Sequence, residues 1–244
     1  MKLKRNLAVI AASLLLTGSF FLPNAVAGIT DSGRIDNLTT IDAQTISFDA
    51  VPDLSLPDRI VLMANKNTEI MALSSGNVMD EETAGSRVVT ELSQFFSGSL
   101  YGFEMRSCTV QESSAAFVID PENPTFNMII WELTIADALE NTALVIMDDE
   151  TGRIIKIVYK QGMRTGSMSA GNDMPPPVLS NMELHRNALR LTELMAAYYD
   201  LPIILGDYHF NGRYSYYRAD FADGNRVISM FGVVTSTGFT MNER

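Results

Sequence analysis

The sequence predicts an α+β fold in two tandem units, each a helix packed on an antiparallel β-meander. Three observations carry this expectation. Apolar residues at helical spacing give way, after about residue 100, to alternating runs punctuated by turn residues. A Gly/Ser/Pro-rich stretch at 161–177 then breaks the pattern. Beyond it the same order, helix first and strands after, begins again.

Residues 1–27 stand apart from that fold. Lys2, Lys4 and Arg5 precede an apolar run from Leu7 to Leu22, and Pro23 and Asn24 end the run before Ala25-Val26-Ala27. This is the three-part layout of a secretory signal, with cleavage expected after Ala27 and a retained membrane anchor as the alternative. The run is shorter than the roughly 20 residues that span a bilayer. Residues 28–54 form a polar lead-in, with an edge strand expected at Thr45–Phe48.

The first unit is expected over 55–160. Ser55, Pro57 and Asp58 favour a helix start, and the helix is drawn to Leu73, before Ser74-Ser75-Gly76. A second helix runs from Asp80 to Ser97, with Val88, Leu92, Phe95 and Phe96 on one face. Phe103–Val118 reads as one or two strands, followed by a turn at 120–124 that holds two prolines. Asn127–Ala136, Asn141–Met147 and Arg153–Tyr159 complete the meander, the last two joined through Asp148-Asp149-Glu150-Thr151-Gly152.

A smaller unit is expected over 178–244. Ser180 and Glu183 have capping-box spacing, and Leu184, Ala188, Leu191, Met195 and Tyr198 line one helix face. Ile203–Phe210, Tyr214–Phe221 and Arg226–Val234 read as strands, with Asn211-Gly212 and Asp223-Gly224 as hairpin turns and Phe239–Met241 as a short last strand. Thr90-Glu91-Leu92 and Thr192-Glu193-Leu194 recur at corresponding places, as an internal duplication would leave them.

The charge balance narrows function. With 18 Lys+Arg against 29 Asp+Glu the net charge is -11. Loss of residues 1–27 removes three basic residues and no acidic one, leaving -14. Such a chain is not built to bind a phosphate backbone. One cysteine, Cys108, excludes an internal disulfide and a Cys-rich zinc site.

Ile130-Trp131-Glu132-Leu133-Thr134-Ile135, then Ala143–Asp148, then Asp149-Glu150-Thr151-Gly152-Arg153 and an apolar closing strand resemble the PepSY domain pattern. The resemblance covers about residues 80–160 and is looser in the second half, where Thr235-Ser236-Thr237-Gly238 stands at the acidic turn. It implies a cystatin-like helix on a curved antiparallel sheet. It also implies a bacterial exported protein that binds, inhibits or assists protein partners and has no catalytic residues to transfer. Asp148, Asp149, Thr151 and Gly152 are the family-like turn.

Local chemistry is sparse. No G-x-S-x-G, Walker loop, Rossmann fingerprint or EF-hand spacing occurs. Asp207 and His209 share a strand face, but no third metal ligand goes with them. Aromatic residues gather in the second half, where Tyr214, Tyr216, Tyr217 and Arg218 form the candidate partner-binding face, with Tyr217 pointing away from the other two tyrosines. The expectation is a non-enzymatic, exported protein without a cofactor, which interacts with or regulates a protein of the cell envelope, such as a protease. The alternatives are a small-ligand, glycan or peptide-binding module and a secreted hydrolase.

Overall fold

The structure is a computed structural model and describes residues 54–96, 101–162, 179–211 and 214–242. These belong to one unit, Phe48–Arg244. The expected signal segment and its cleavage site, the lead-in with its strand at Thr45–Phe48, and nearly all of the 161–177 linker lie outside the described residues, as do Gly212 and Arg213.

Helix α1, Leu56–Ala64, starts where its cap residues place it: the Asp58 N–H donates to Ser55 Oγ at 3.3 Å. It ends nine residues on, not at Leu73. Asn65 and Asn67 carry the chain out of the helix, the Asn67 N–H donating to Asn65 Oδ1 at 3.0 Å. Glu69–Leu73 is then strand β1. Its sequence, Glu-Ile-Met-Ala-Leu, favours helix, and pairing with the following strand overrides that preference.

Helix α2, Glu81–Phe96, and helix α3, Asn181–Tyr199, follow the predicted apolar faces. Ser180 and Glu183 cap α3 reciprocally, and Asp200 closes it in the left-handed region at φ 55°. The strands are β2 Thr109–Asp120, β3 Asn123–Ala136, β4 Thr142–Asp148, β5 Ile154–Lys160, β6 Ile203–Phe210, β7 Ser215–Asp223, β8 Arg226–Val234 and β9 Gly238–Met241. Gly152 and Gly224, at φ 67° and 58°, make the turns into β5 and β8.

The tandem α+β expectation is corrected at the seam between its two units. The last strands of the two meanders pair with each other, Ile157 opposite Met241 through Lys160 opposite Gly238. The described residues therefore form one nine-stranded antiparallel sheet in the order β1-β2-β3-β4-β5-β9-β8-β7-β6, with three α-helices, and the fold is mainly β. Two separate meanders would each leave another backbone edge unpaired, and joining them removes both edges. Gly238 permits the approach, since a Cβ there would run into the Tyr159 carbonyl.

The seam is also the centre of the core. Phe96 and Tyr159 rings lie 5.3 Å apart, Tyr159 and Phe239 5.5 Å, and Phe95 and Phe239 6.1 Å. Helices α2 and α3 cover this face. Between them the buried Glu91 carboxylate accepts from Tyr198 Oη at 2.6 Å and pairs with Arg87 at 2.8 Å and Arg153 at 3.4 Å. Burial, helped by Glu91, pushes the Tyr198 phenol far above its usual range, so it remains a donor. The opposite face is covered at one end by α1: Arg59 reaches Asp148, which stands opposite Ile130 in the sheet. Under α1, Val118, Met128 and Ile130 are buried.

The β3–β4 turn is held by Asp137. Burial would raise its carboxyl, but hydrogen bonds from the Glu104 N–H, the Asn141 side chain and the Asn141 and Leu139 N–H groups outweigh it and hold the group below its ordinary value. A depressed carboxyl stabilises the fold above its unfolded value, near pH 4, and that contribution fades as pH falls through the lower folded value. Asp137→Asn is expected to lose about 1–2 kcal/mol at pH 7. The gap to the unsubstituted protein should narrow below about pH 4. Urea midpoints from pH 7 down to pH 3 measure it, and a gap that stays constant with pH would contradict this role for Asp137.

Candidate protein-binding face

Strand pairing lays out one row of side chains across the sheet. Thr134 is opposite Leu144, Leu144 opposite Val158, and Val158 opposite Thr240. Thr240 Oγ1 accepts from the Val233 N–H at 2.9 Å, Val233 is opposite Tyr216, and Tyr216 is opposite His209. Paired residues share a face. Each member of the row is half-buried or exposed, and among the described elements only α1 packs on this face, at its neighbouring end. Beside the row, Phe231 is 46% exposed and stands opposite Arg218.

Apolar exposure concentrates here and along β6. Among the described residues fifteen large hydrophobic side chains are exposed, and eight of them lie between Ile203 and Phe231. Tyr216 and Phe231 bring part of this exposure onto the same sheet face as the row.

The residues singled out from the sequence divide into three groups. Tyr214 and Tyr216 are exposed, their ring centroids 6.2 Å apart. Arg218 is exposed on the same face as Tyr216: Nε donates to Asp220 Oδ1 at 2.9 Å, and the guanidinium lies 5.9 Å from the Phe231 ring centre. Tyr217 is buried on the helix-covered face, where its hydroxyl donates to the Thr240 carbonyl oxygen at 2.9 Å. Tyr217 therefore lies off the candidate face.

The family-like turn is built as a lock. Asp148 accepts from Thr151 N–H at 2.7 Å, Thr151 Oγ1 at 2.6 Å and Arg59 at 2.6 Å, and is fully buried. Asp149 is also buried and accepts from the Asn77, Val78 and Met79 N–H groups and from Trp131 Nε1. Asp148 thus holds the turn to α1 through Arg59, and Asp149 holds it to the loop before α2.

Phe231, Val233, Val158 and Leu144 were not singled out from the sequence. The alternation of Val227, Ser229, Phe231 and Val233 against Ile228, Met230, Gly232 and Val234 was the available signal, but both sets are largely apolar. Only the position of the helices decides which set is left uncovered.

Asp207 and His209 lie together on β6, exposed, with Nε2 3.2 Å from Oδ2. Among the described residues no three His, Cys, Asp or Glu side chains gather as metal ligands. Cys108 precedes β2, its Sγ donating to the Met105 carbonyl at 3.1 Å, and burial pushes its thiol up. An open groove of about 700 Å³ beside it is rimmed by Glu81, Glu82 and Glu112. No described helix is long and apolar enough to cross a membrane. No protein-family model matches the chain, and neither a curated protein nor a solved structure matches it.

Proposed function

We propose that this chain is an exported, non-enzymatic protein that holds a protein partner of the cell envelope on the uncovered face of its sheet and thereby regulates it, a protease being one such partner. The observation that carries the reading is the row Leu144–Val158–Thr240–Val233–Tyr216, half-buried to exposed, with exposed Phe231 beside it, on the face opposite the one that α2 and α3 cover. The partner it fits has a flat apolar surface of its own. Tyr, Phe and Arg are the side chains that anchor such contacts, because they supply large areas at small entropic cost. The PepSY-like stretch from Ile130 to Ile157 supports the same reading.

Affinity capture from a native envelope fraction, with the protein and with Phe231→Ser/Tyr216→Ser as baits, tests it. Losing one anchor costs about 2 kcal/mol, so the partner recovered by the unsubstituted bait should bind the double variant at least about 30-fold more weakly. Equal recovery by both baits would move the contact elsewhere. Failure to recover a partner, together with substrate turnover by the purified protein, would replace binding with catalysis.

A further inference from the structure

The uncovered face does not account for Ile203, Ile204 and Phe210 on β6, nor for Met182 and Leu189 on α3, all of them exposed. Ile203 and Phe210, opposite Phe221 and Ser215, lie on the sheet face that α3 packs against. Among the described residues strand β6 ends the sheet and pairs only with β7. It carries neither lysine nor proline to discourage a further strand. Ile204 is an extra residue between Ile203 opposite Phe221 and Leu205 opposite Asp220, and from Leu205 to Phe210 the pairing is regular.

Helix α3 presents its own apolar stripe along this edge. The His185 ring lies edge-on to Tyr208 and Phe210, centroids 5.1 and 5.4 Å away, and Tyr208 Oη donates to Thr192 Oγ1 at 3.4 Å. The His185–Thr192 flank therefore faces β6. Leu189 and Ala196 follow His185 and Thr192 by one helical turn each, and Met182 precedes Leu189 by two turns. Met182 is 81% exposed and Leu189 39%.

We infer that the occupant of this edge is a second copy of the chain, joined β6 to β6 in antiparallel fashion about a two-fold axis normal to the sheet. An unrelated extended peptide would satisfy the β6 backbone and leave Met182 and Leu189 in water. A second copy covers both, because the same two-fold axis brings its α3 antiparallel to the first. Charge selects the register. A two-fold axis normal to the sheet requires some residue to face itself or lie symmetrically about the axis on the same face. Centring on Asp207 sets two carboxylates against each other. Centring on Tyr208 places Asp207 opposite His209 of the second copy, twice, and Gly206 opposite Phe210, so both polar pairs are complementary. The inference uses the β6 edge, where Asp207 and His209 border the uncovered face, and it would put two such faces on the same side of the dimer.

Sedimentation equilibrium of the purified protein, with amide hydrogen exchange, tests it. The expected result is a reversible dimer in which the Leu205–Phe210 amides exchange as slowly as those of an interior strand. Met182→Glu/Leu189→Glu, on an exposed helix flank, should weaken the dimer at least tenfold while keeping the circular dichroism and melting temperature of the unsubstituted protein. Ile70→Glu, on the opposite edge strand β1, should leave it unchanged. A monomer at every concentration, a dimer indifferent to Met182→Glu/Leu189→Glu, or a dimer lost with Ile70→Glu would each overturn the inference. None of these results bears on whether Phe231 and Tyr216 hold a different protein.

Discussion

Asp149→Ala is expected to lose about 4 kcal/mol of folding stability, a large part of what a domain of this size possesses. The carboxylate is 2% exposed and accepts from the Asn77 and Val78 N–H groups on one oxygen, at 2.8 and 2.7 Å. The other oxygen accepts from the Met79 N–H at 3.0 Å and from Trp131 Nε1 at 2.8 Å. Alanine removes one side chain and leaves four donors without an acceptor, and each unmade bond in a dry site costs about 1–3 kcal/mol before relaxation. Water entering from the loop side will recover some of that, which is why the sum is not expected in full. Asp149→Asn keeps one carbonyl acceptor and should cost roughly half as much. Urea denaturation at pH 7 measures both. A loss under about 1 kcal/mol for the alanine variant would show that the loop before α2 finds other partners. The same loop explains Gly76, where a Cβ would meet the Met79 carbonyl oxygen at 2.5 Å and Trp131 Nε1 at 2.7 Å.

The turn at 148–152 shows where sequence reasoning reaches and where it stops. Its position and its glycine were legible, because a turn between two apolar runs needs a residue that tolerates positive φ. So were helix α2, from the spacing of Val88, Leu92, Phe95 and Phe96, and the start of α3, from Ser180 and Glu183. These are local signals, written within a few residues of one another. Three successive acids in a turn look solvent-facing by local pattern, whereas two of the three are buried and receive donors from residues about 70 and 90 positions away. No local pattern records such distances. Pairing of β5 with β9 was hidden in the same way: Ile157 and Met241 are each ordinary strand residues, and the Gly/Ser/Pro stretch between them reads as a boundary. Strand β1 failed for the opposite reason, its local preference being clear and overruled by β2. For the binding face, Tyr214, Tyr216 and Arg218 could be proposed from composition. Phe231 could not be separated from its buried neighbours until α2 and α3 had been assigned to the other side of the sheet.

Arg59→Met is expected to destabilise the protein by about 3–5 kcal/mol, and a second substitution should return part of the loss. Arg59 is 1% exposed and Asp148 0%, so the pair sits where neither charge has water. Arg59 Nε also donates to the Leu54 carbonyl oxygen at 2.9 Å, and its second terminal nitrogen pairs with Glu150. The guanidinium thus ties the start of α1 to the end of β4 and sets which end of the sheet α1 covers. Methionine fills similar space without charge, so the cost arises from the carboxylate left behind and not from a cavity. Thr151 N–H and Oγ1 still reach Asp148, at 2.7 and 2.6 Å, and soften that cost without cancelling the charge. Asp148→Asn in the Arg59→Met background removes the stranded charge and keeps an acceptor for Thr151. A double-mutant cycle on urea midpoints should therefore give a coupling of about 2 kcal/mol, with the double variant more stable than Arg59→Met alone. Equal stability of those two variants would mean that Asp148 is hydrated once Arg59 is gone. The geometry here opposes that outcome, because Val118, Met128 and Ile130 close the same face beneath α1. The charge pair then acts as a positional device. Apolar contacts alone would let a nine-residue helix settle anywhere on an apolar sheet face, whereas a buried guanidinium accepts one position. Where α1 settles decides how much of that face remains uncovered, and so whether Tyr216 and Phe231 could meet the proposed partner.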